Sequence, residues 1–383
     1  MDLARITSIG ACENALVEIS KIKTPIQLRL TTQSRQWAPG SEAALIQLLL
    51  TWAQHDSTRF LHTYVQKADD PKQVEPLVKH IHGLVAALCC LRATSVSGEN
   101  ILPQIESMAL ARLDEQQAAS PQRSTRGAQV DVLCADHLSR GMPRALYVQN
   151  SQGNWGIRDR ADFKSAARTM LKIIANSPKV YAAGEEDAVD ALAGMLYETF
   201  RNSEEHGMLD SNQVMFNPCI RGIHARHHFA GWDDLDKLTA DYQPLQSYFH
   251  TIRQRQQANS AHFIEISVFD SGRGFAETWR NKSLKDLEPG DEQAAVKECF
   301  LHGSRKRAQG YGEGLPSVVR LLDQSRGFLR LRTGRLSTYF NFATMQMEKN
   351  ALDLQFWSPN GSDGLPRVAG SLLTILVPLG KFQ

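Results

Sequence analysis

Glu198, Asn202 and His206 stand four residues apart, so on a helix a carboxylate, an amide and an imidazole would share one edge. All three can exchange hydrogen bonds with a ligand, and two can exchange protons. A helix is indicated by its ends. Acidic Glu185, Glu186 and Asp187 follow Gly184, where a helix N-terminus favours negative charge, and Gly207 sits where helices commonly stop. Between them Val189, Leu192, Leu196, Thr199 and Phe200 recur at three- and four-residue steps, the spacing of a buried stripe. Taken alone, this helix reads more simply as one with a polar edge in solvent.

A second group lies downstream. Phe263 to Phe269 (FIEISVF) predicts a strand with Ile264, Ile266 and Val268 on one side and Glu265 and Ser267 on the other. It runs into Asp270-Ser271-Gly272-Arg273-Gly274-Phe275. A carboxylate at the end of a strand, followed by glycines that let the backbone turn tightly, can accept a hydrogen bond from a ligand amine held against main chain. The plain alternative is an Asp/Gly turn leaving a strand.

The third group is FLHGSRKRAQGYGEGLPSVV, residues 300–319. Gly310, Gly312 and Gly314 come just before Leu315, Pro316 and a helix predicted to reach Leu322. Glycines before a helix expose backbone N–H groups, and the helix dipole adds positive potential, which suits phosphate. Pro316 fits a first helical turn. Basic Arg305, Lys306 and Arg307 favour a phosphate-facing lid over an idle hinge. No strand precedes these glycines and their spacing is wrong for a Rossmann fingerprint, while the absence of any GK[ST] excludes a Walker A loop. Two further clusters read as structural. His224, His227 and His228 lack an HExxH frame or paired cysteines, and His80, His82, Cys89 and Cys90 sit in apolar surroundings.

The chain that must position these residues has 383 of them, with 42% hydrophobic and 22% charged. That is the composition of a soluble globular protein with room for two domains. A formal charge of +2 gives no strong field for nucleic acid or anionic lipid. The six cysteines are scattered, which predicts buried thiols and not a disulfide framework. No apolar stretch is long enough to span a bilayer and the N-terminus is unlike a signal peptide, so a cytoplasmic location is expected.

In order, strands are expected at 26–30, 60–65, 130–135 and 144–149, and helices at 41–55, 75–91, 101–117 and 162–175. Residues 176–184, with Ser177-Pro178, are the expected boundary between an N-terminal α/β module (1–180) and a second domain (181–383). The second domain continues with a long stretch at 208–261 holding a helix at 243–257, then strands at 328–332, 338–343 and 372–377.

Glu198-x-x-x-Asn202, Asp270-x-Gly272-x-Gly274, Gly310-x-Gly312-x-Gly314-Leu315 and Gly370-Ser371 resemble, in that order, the four boxes of the GHKL ATPase superfamily. Gyrase-type topoisomerases, the ninety-kilodalton heat-shock chaperone, histidine kinases and MutL proteins belong to it. The resemblance covers the second half of the chain and implies an α/β sandwich, a mixed sheet with helices on one face, with ATP between helix and lid. It implies that Asn202 holds Mg²⁺, that Asp270 receives the adenine amino group, and that Gly272 and Gly274 let adenine lie against main chain. Glu198 would be the general base that orients water. Gly310, Gly312, Gly314, Leu315, Arg305 and Lys306 would close over the phosphates, Lys306 standing in for a catalytic lysine that a further domain supplies in gyrase and MutL. Ser371 takes a place near adenine often held by Thr. The expected function is an Mg-ATP-driven conformational switch read by the N-terminal module, a protein partner or a second copy. The alternatives are a protein kinase of the sensor or anti-sigma type and a nucleotide-binding module without turnover.

Overall fold

The computed structural model describes residues 1–4, 6–31, 36–67, 70–118, 129–175, 185–256, 259–302, 314–346, 352–359 and 364–379. The N-terminal part runs α1 (Ile9–Lys21), β1 (Leu28–Leu30), α2 (Ser41–His55), β2 (Phe60–Thr63), α3 (Pro71–Lys79), α4 (Ile81–Cys89), β3 (Arg92–Thr94) and α5 (Leu102–Ala118). Its three short strands pair in parallel in the order β1-β2-β3, with helices as the crossovers that parallel pairing requires. The single helix expected at 75–91 is broken at His80, which is extended (φ −89°, ψ 140°). The two pieces then fold against each other so closely that a Cβ on Gly83 would lie 1.8 Å from the Leu77 carbonyl oxygen.

The remaining elements are β4 (Gln129–Ala135), β5 (Tyr147–Gln149), β6 (Trp155–Ile157), α6 (Arg160–Ala175), α7 (Glu185–His206), β7 (Ile220–Gly231), α8 (Trp232–Leu238), α9 (Gln243–Gln256), β8 (Ser260–Asp270), α10 (Phe275–Arg280), α11 (Pro289–His302), α12 (Gly314–Ser325), β9 (Phe328–Thr333), β10 (Leu336–Asn341), β11 (Gln355–Phe356) and β12 (Ser371–Pro378). Seven strands form one sheet in the order β11-β10-β9-β12-β8-β7-β4. Every pair in it is antiparallel, where a mixed sheet was expected; parallel pairing is confined to the small N-terminal sheet. The excursion through α8 and α9 explains one such pair, because it returns the chain to the end it left, with Gly231 opposite Ser260.

Helices cover both faces of the large sheet, where one covered face was expected. On one side Ile223, Ile266, Leu331 and Ile375 pack with α6, α7, α11 and α12. On the other, Phe263, Phe269, Phe328 and Leu372 pack with α1, α2, α8 and α9. This explains why the alternation along β8 does not separate core from solvent: Glu265 and Ser267 are as buried as Ile264 and Ile266. The sheets do not divide at residue 180. Strand β4 is the edge of the large sheet, paired with β7, and α6 packs on α7. The small parallel sheet and its helices, up to about residue 118, form the layer on the second face. Residues 176–184, the expected boundary, lie outside the described residues. No helix is long and apolar enough to cross a membrane among the described residues.

Candidate functional site

Strand register assembles the site. Arg221 on β7 lies opposite Asp270 on β8, Asp270 opposite Ser371 on β12, and Ser371 opposite Thr333 on β9. Residues opposite each other in an antiparallel sheet share a face, so these four make a polar row across four strands. The row crosses the face that packs on α7, which is otherwise apolar.

Asp270 is the centre of the row. Its Oδ1 accepts a hydrogen bond from the Gly272 N–H at 2.8 Å, and the Ser371 backbone N–H, on the neighbouring strand, adds to the local pull on the carboxylate. Burial pushes the carboxyl up to about 6, against the pull of those two N–H groups and of Arg221. Arg221 is itself buried and spoken for: it forks onto Asp136 at 2.9 and 3.0 Å, donates to the Tyr147 hydroxyl and lies 3.5 Å from Glu204. Its charge is therefore largely neutralised before it reaches Asp270.

Glycines let three backbone segments close around Asp270. A Cβ on Gly272 would lie 2.5 Å from the Gly207 Cα, and one on Gly207 would lie 2.7 Å from the Asp270 Cβ. Gly370, at φ +56°, would put a Cβ 1.9 Å from the Asp270 carbonyl oxygen. Gly274 has φ +88° and leads into α10, and the next N–H, of Phe275, donates to Thr333 Oγ1 at 3.0 Å. Thr333 Oγ1 also lies 3.2 Å from Ser371 Oγ, which ties the turn after β8 to the start of β12.

Above this floor is a cavity of about 250 Å³. Its floor is Val268, Asp270, Ser371 and Leu373, and one wall is the α7 face carrying Thr199, Asn202, Ser203 and His206. The facing wall comes from Gly274, Phe275, Thr278 and Trp279, closed by Cys299 of α11 and Leu315 of α12. Glu298 fixes the outer wall by accepting from Trp279 Nε1 at 2.7 Å and from both Arg280 terminal nitrogens at 2.7 and 2.9 Å. The arrangement offers a largely apolar pocket with one carboxylate acceptor and main chain at its base, and side-chain amide, hydroxyl and imidazole groups along one side.

Of the residues singled out in the sequence, Asn202, Asp270, Gly274, Leu315 and Ser371 meet in this cavity, and His206 joins them. Gly272 lies directly beneath, and Gly314 opens α12. Glu198 is one turn before Asn202 but off the cavity wall; it is buried, with an Arg160 terminal nitrogen 3.6 Å from its carboxylate. Arg305, Lys306, Gly310 and Gly312 lie outside the described residues. Thr199 and Ser203 were not anticipated as wall residues, although they flank Asn202 by three and one on the same helix. Thr333 and Arg221 had no signal, because only strand register brings them to Asp270.

The histidines read as structural are so placed. His82, His224 and His228 are buried on the opposite face, with carboxylates of Glu42, Asp131 and Glu265 each at 2.7 Å. All six cysteines are buried free thiols. Among the described residues no group of three or more His, Cys, Asp or Glu is arranged to hold a metal ion. Comparison with family models, curated proteins and solved structures gives no match to the chain.

Proposed function

We propose that the chain is an Mg-ATP-binding protein of the GHKL type, a probable ATPase in which nucleotide binding drives a conformational switch. The single observation that carries the reading is Asp270: a buried carboxylate at the foot of the cavity, held by the Gly272 N–H and surrounded by glycines. Such an acceptor matches the exocyclic amino group of adenine, whereas guanine would turn a carbonyl oxygen toward it. The glycine contacts let the three backbone segments close beneath the carboxylate, since any Cβ there would displace the loops. The phosphate end falls toward α12, whose N-terminal turn reaches the cavity at Leu315 and whose dipole favours anions.

Asn202, one side-chain oxygen in the wall, fits a Mg²⁺ that takes its other ligands from phosphate and water; the ion would neutralise phosphate charge. Glu198, in this reading, orients the attacking water. Its position off the wall makes the role separable from binding, so Glu198→Ala keeps affinity and loses phosphate release.

The test is a calorimetric titration of the full chain with Mg-ATP. Binding is expected for the wild type and a loss of about 100-fold or more for Asp270→Asn, since a site built around a polar partner loses several kcal/mol when that partner is wrong. Full affinity in Asp270→Asn would overturn the assignment. Incubation with γ-labelled ATP then sorts the outcomes: free phosphate supports an ATPase, labelled protein a kinase, and neither a binding module.

A further inference from the structure

Helix α2 carries an unusual stripe. Within SEAALIQLLLTWAQH, otherwise apolar and buried, Gln47, Thr51 and Gln54 recur at steps of four and three, which is one edge of a helix. Burying a glutamine is unfavourable unless its amide is bonded, and Gln47 is 1% exposed. Its Nε2 donates to the carbonyl oxygens of Arg332 at 3.0 Å and Ala369 at 3.4 Å. Thr51 Oγ1 accepts from the Ala369 N–H at 3.0 Å, and Gln54 Nε2 donates to the Ser271 carbonyl at 2.6 Å.

These partners are not scattered. Asp270 is held by the Gly272 N–H and lies opposite Ser371, and these two belong to separate backbone segments. Ser271 adjoins the first, and Ala369 is two residues from the second. The segments also bond each other, Gly370 N–H to the Gly272 carbonyl at 2.9 Å. On its other side α2 is fixed to the N-terminal part, with Trp52 Nε1 donating to the Ile26 carbonyl at 3.1 Å.

Resting on the nucleotide-site reading above, we infer that Gln47, Thr51 and Gln54 are positioning residues for that site: α2 holds the two backbone segments that flank the Asp270 carboxylate. Nucleotide occupancy and the seating of the N-terminal module are thereby coupled, and each must bias the other by the same free energy. None of the three touches the cavity, and their action passes through Ser271 and Ala369.

Gln54 is the place to test this, because its side chain is otherwise exposed and its replacement opens no core. In the full-length protein without nucleotide, Gln54→Glu puts a carboxylate against the Ser271 carbonyl and should speed hydrogen exchange at the Gly272 and Ser371 amides. Gln54→Lys keeps a donor and should restore wild-type exchange. Thr51→Val should act as Gln54→Glu does, and Thr51→Ser should rescue. With Mg-ATP, loss of one such bond should weaken binding about 3- to 10-fold in Gln54→Ala, more in Gln54→Glu, with the melting temperature little changed. Unchanged exchange at 272 and 371 in both Gln54→Glu and Thr51→Val would overturn the inference whatever ATP does. Faster exchange in those variants, with no ATP binding by the wild type, would sink the nucleotide reading and leave the positioning role standing.

Discussion

The two faces of the seven-stranded sheet bury carboxylates in opposite ways. Toward the N-terminal layer, Glu42 and Glu265 are buried with basic partners. Burial alone would raise their carboxyls, but the hydrogen bond and charge of His82 for Glu42, and of His228 for Glu265, outweigh it and bring both down to about 2. His224 lies between them and answers in kind. Burial would lower it, yet Asp131 at 2.7 Å and the two glutamates push it up to about 9. Glu13 is treated alike, with Arg330 at 2.7 Å and Arg332 at 3.0 Å. Toward α7, Asp270 has only backbone N–H groups and a guanidinium already occupied by Asp136, so burial wins and its carboxyl rises to about 6. Paired charge fills the docked face; the charge without a dedicated ionic partner faces the cavity. Such a group marks a candidate site better than burial does.

The contrast breaks most visibly through the pairs. Glu42→Gln or Glu13→Gln leaves basic groups buried without a counter-charge and is expected to lower unfolding free energy by about 3–5 kcal/mol in denaturant titrations. Asp270→Asn should change stability by no more than about 1 kcal/mol, because backbone donors can still meet a side-chain oxygen. Equal losses in the two sets would erase the distinction.

Gly272→Ala comes next. Its methyl group would press on Gly207, and about 1–3 kcal/mol of overpacking should appear as lower stability together with weaker Mg-ATP binding, since the loop that orients Asp270 must move.

The smallest effects are in pH, and here the carboxylates of the two faces should differ in sign. His224 has its folded value raised from 6.5 to about 9, so its contribution is fully present below 6.5 and is lost as pH rises through 9. Glu42 and Glu265, lowered from 4.5 to about 2, contribute above 4.5 and lose that contribution as pH falls through 2. From these three groups the melting temperature should be highest between about pH 4.5 and 6.5 and fall toward pH 9.5, less steeply in His224→Gln; the loss of the Asp270 contribution moves the maximum toward the acid end of that range. Asp270, raised from 3.8 to about 6, adds stability below 3.8 that is lost as pH rises through 6. Its use as an acceptor runs the other way: Mg-ATP affinity should drop about tenfold from pH 7 to pH 5 as the carboxylate protonates. Calorimetry at the two pH values measures the second effect and thermal melts the first.

Much of the site was legible because it is local. Asp270 and its glycines follow a strand whose alternation is clear, and Asn202 sits on a helix with marked ends. What could not be read was set by pairing between distant segments. Arg221 and Thr333 enter only through register, and the covering of the second face is invisible in β8, where two buried faces and one solvated face give the same alternation. Along β7, nothing local pointed to the partners of His224 and His228, because the carboxylates of Asp131 and Glu265 lie on other elements. Helix α11 was legible but passed over: Pro289 at its start and Asp291 and Glu292 in its first turn are ordinary signals.

The place of β12 has a consequence for how the molecule is made. Residues 371–378 lie between β8 and β9, not at an edge, and supply Ser371 to the polar row. Until that segment has left the ribosome, β8 and β9 each present an unpaired apolar edge, and Asp270 lacks Ser371 opposite it. Such long-range closure is intrinsically slow and exposes edges to other chains. The nascent protein therefore stays unable to form its cavity until nearly all of the described chain has been synthesised.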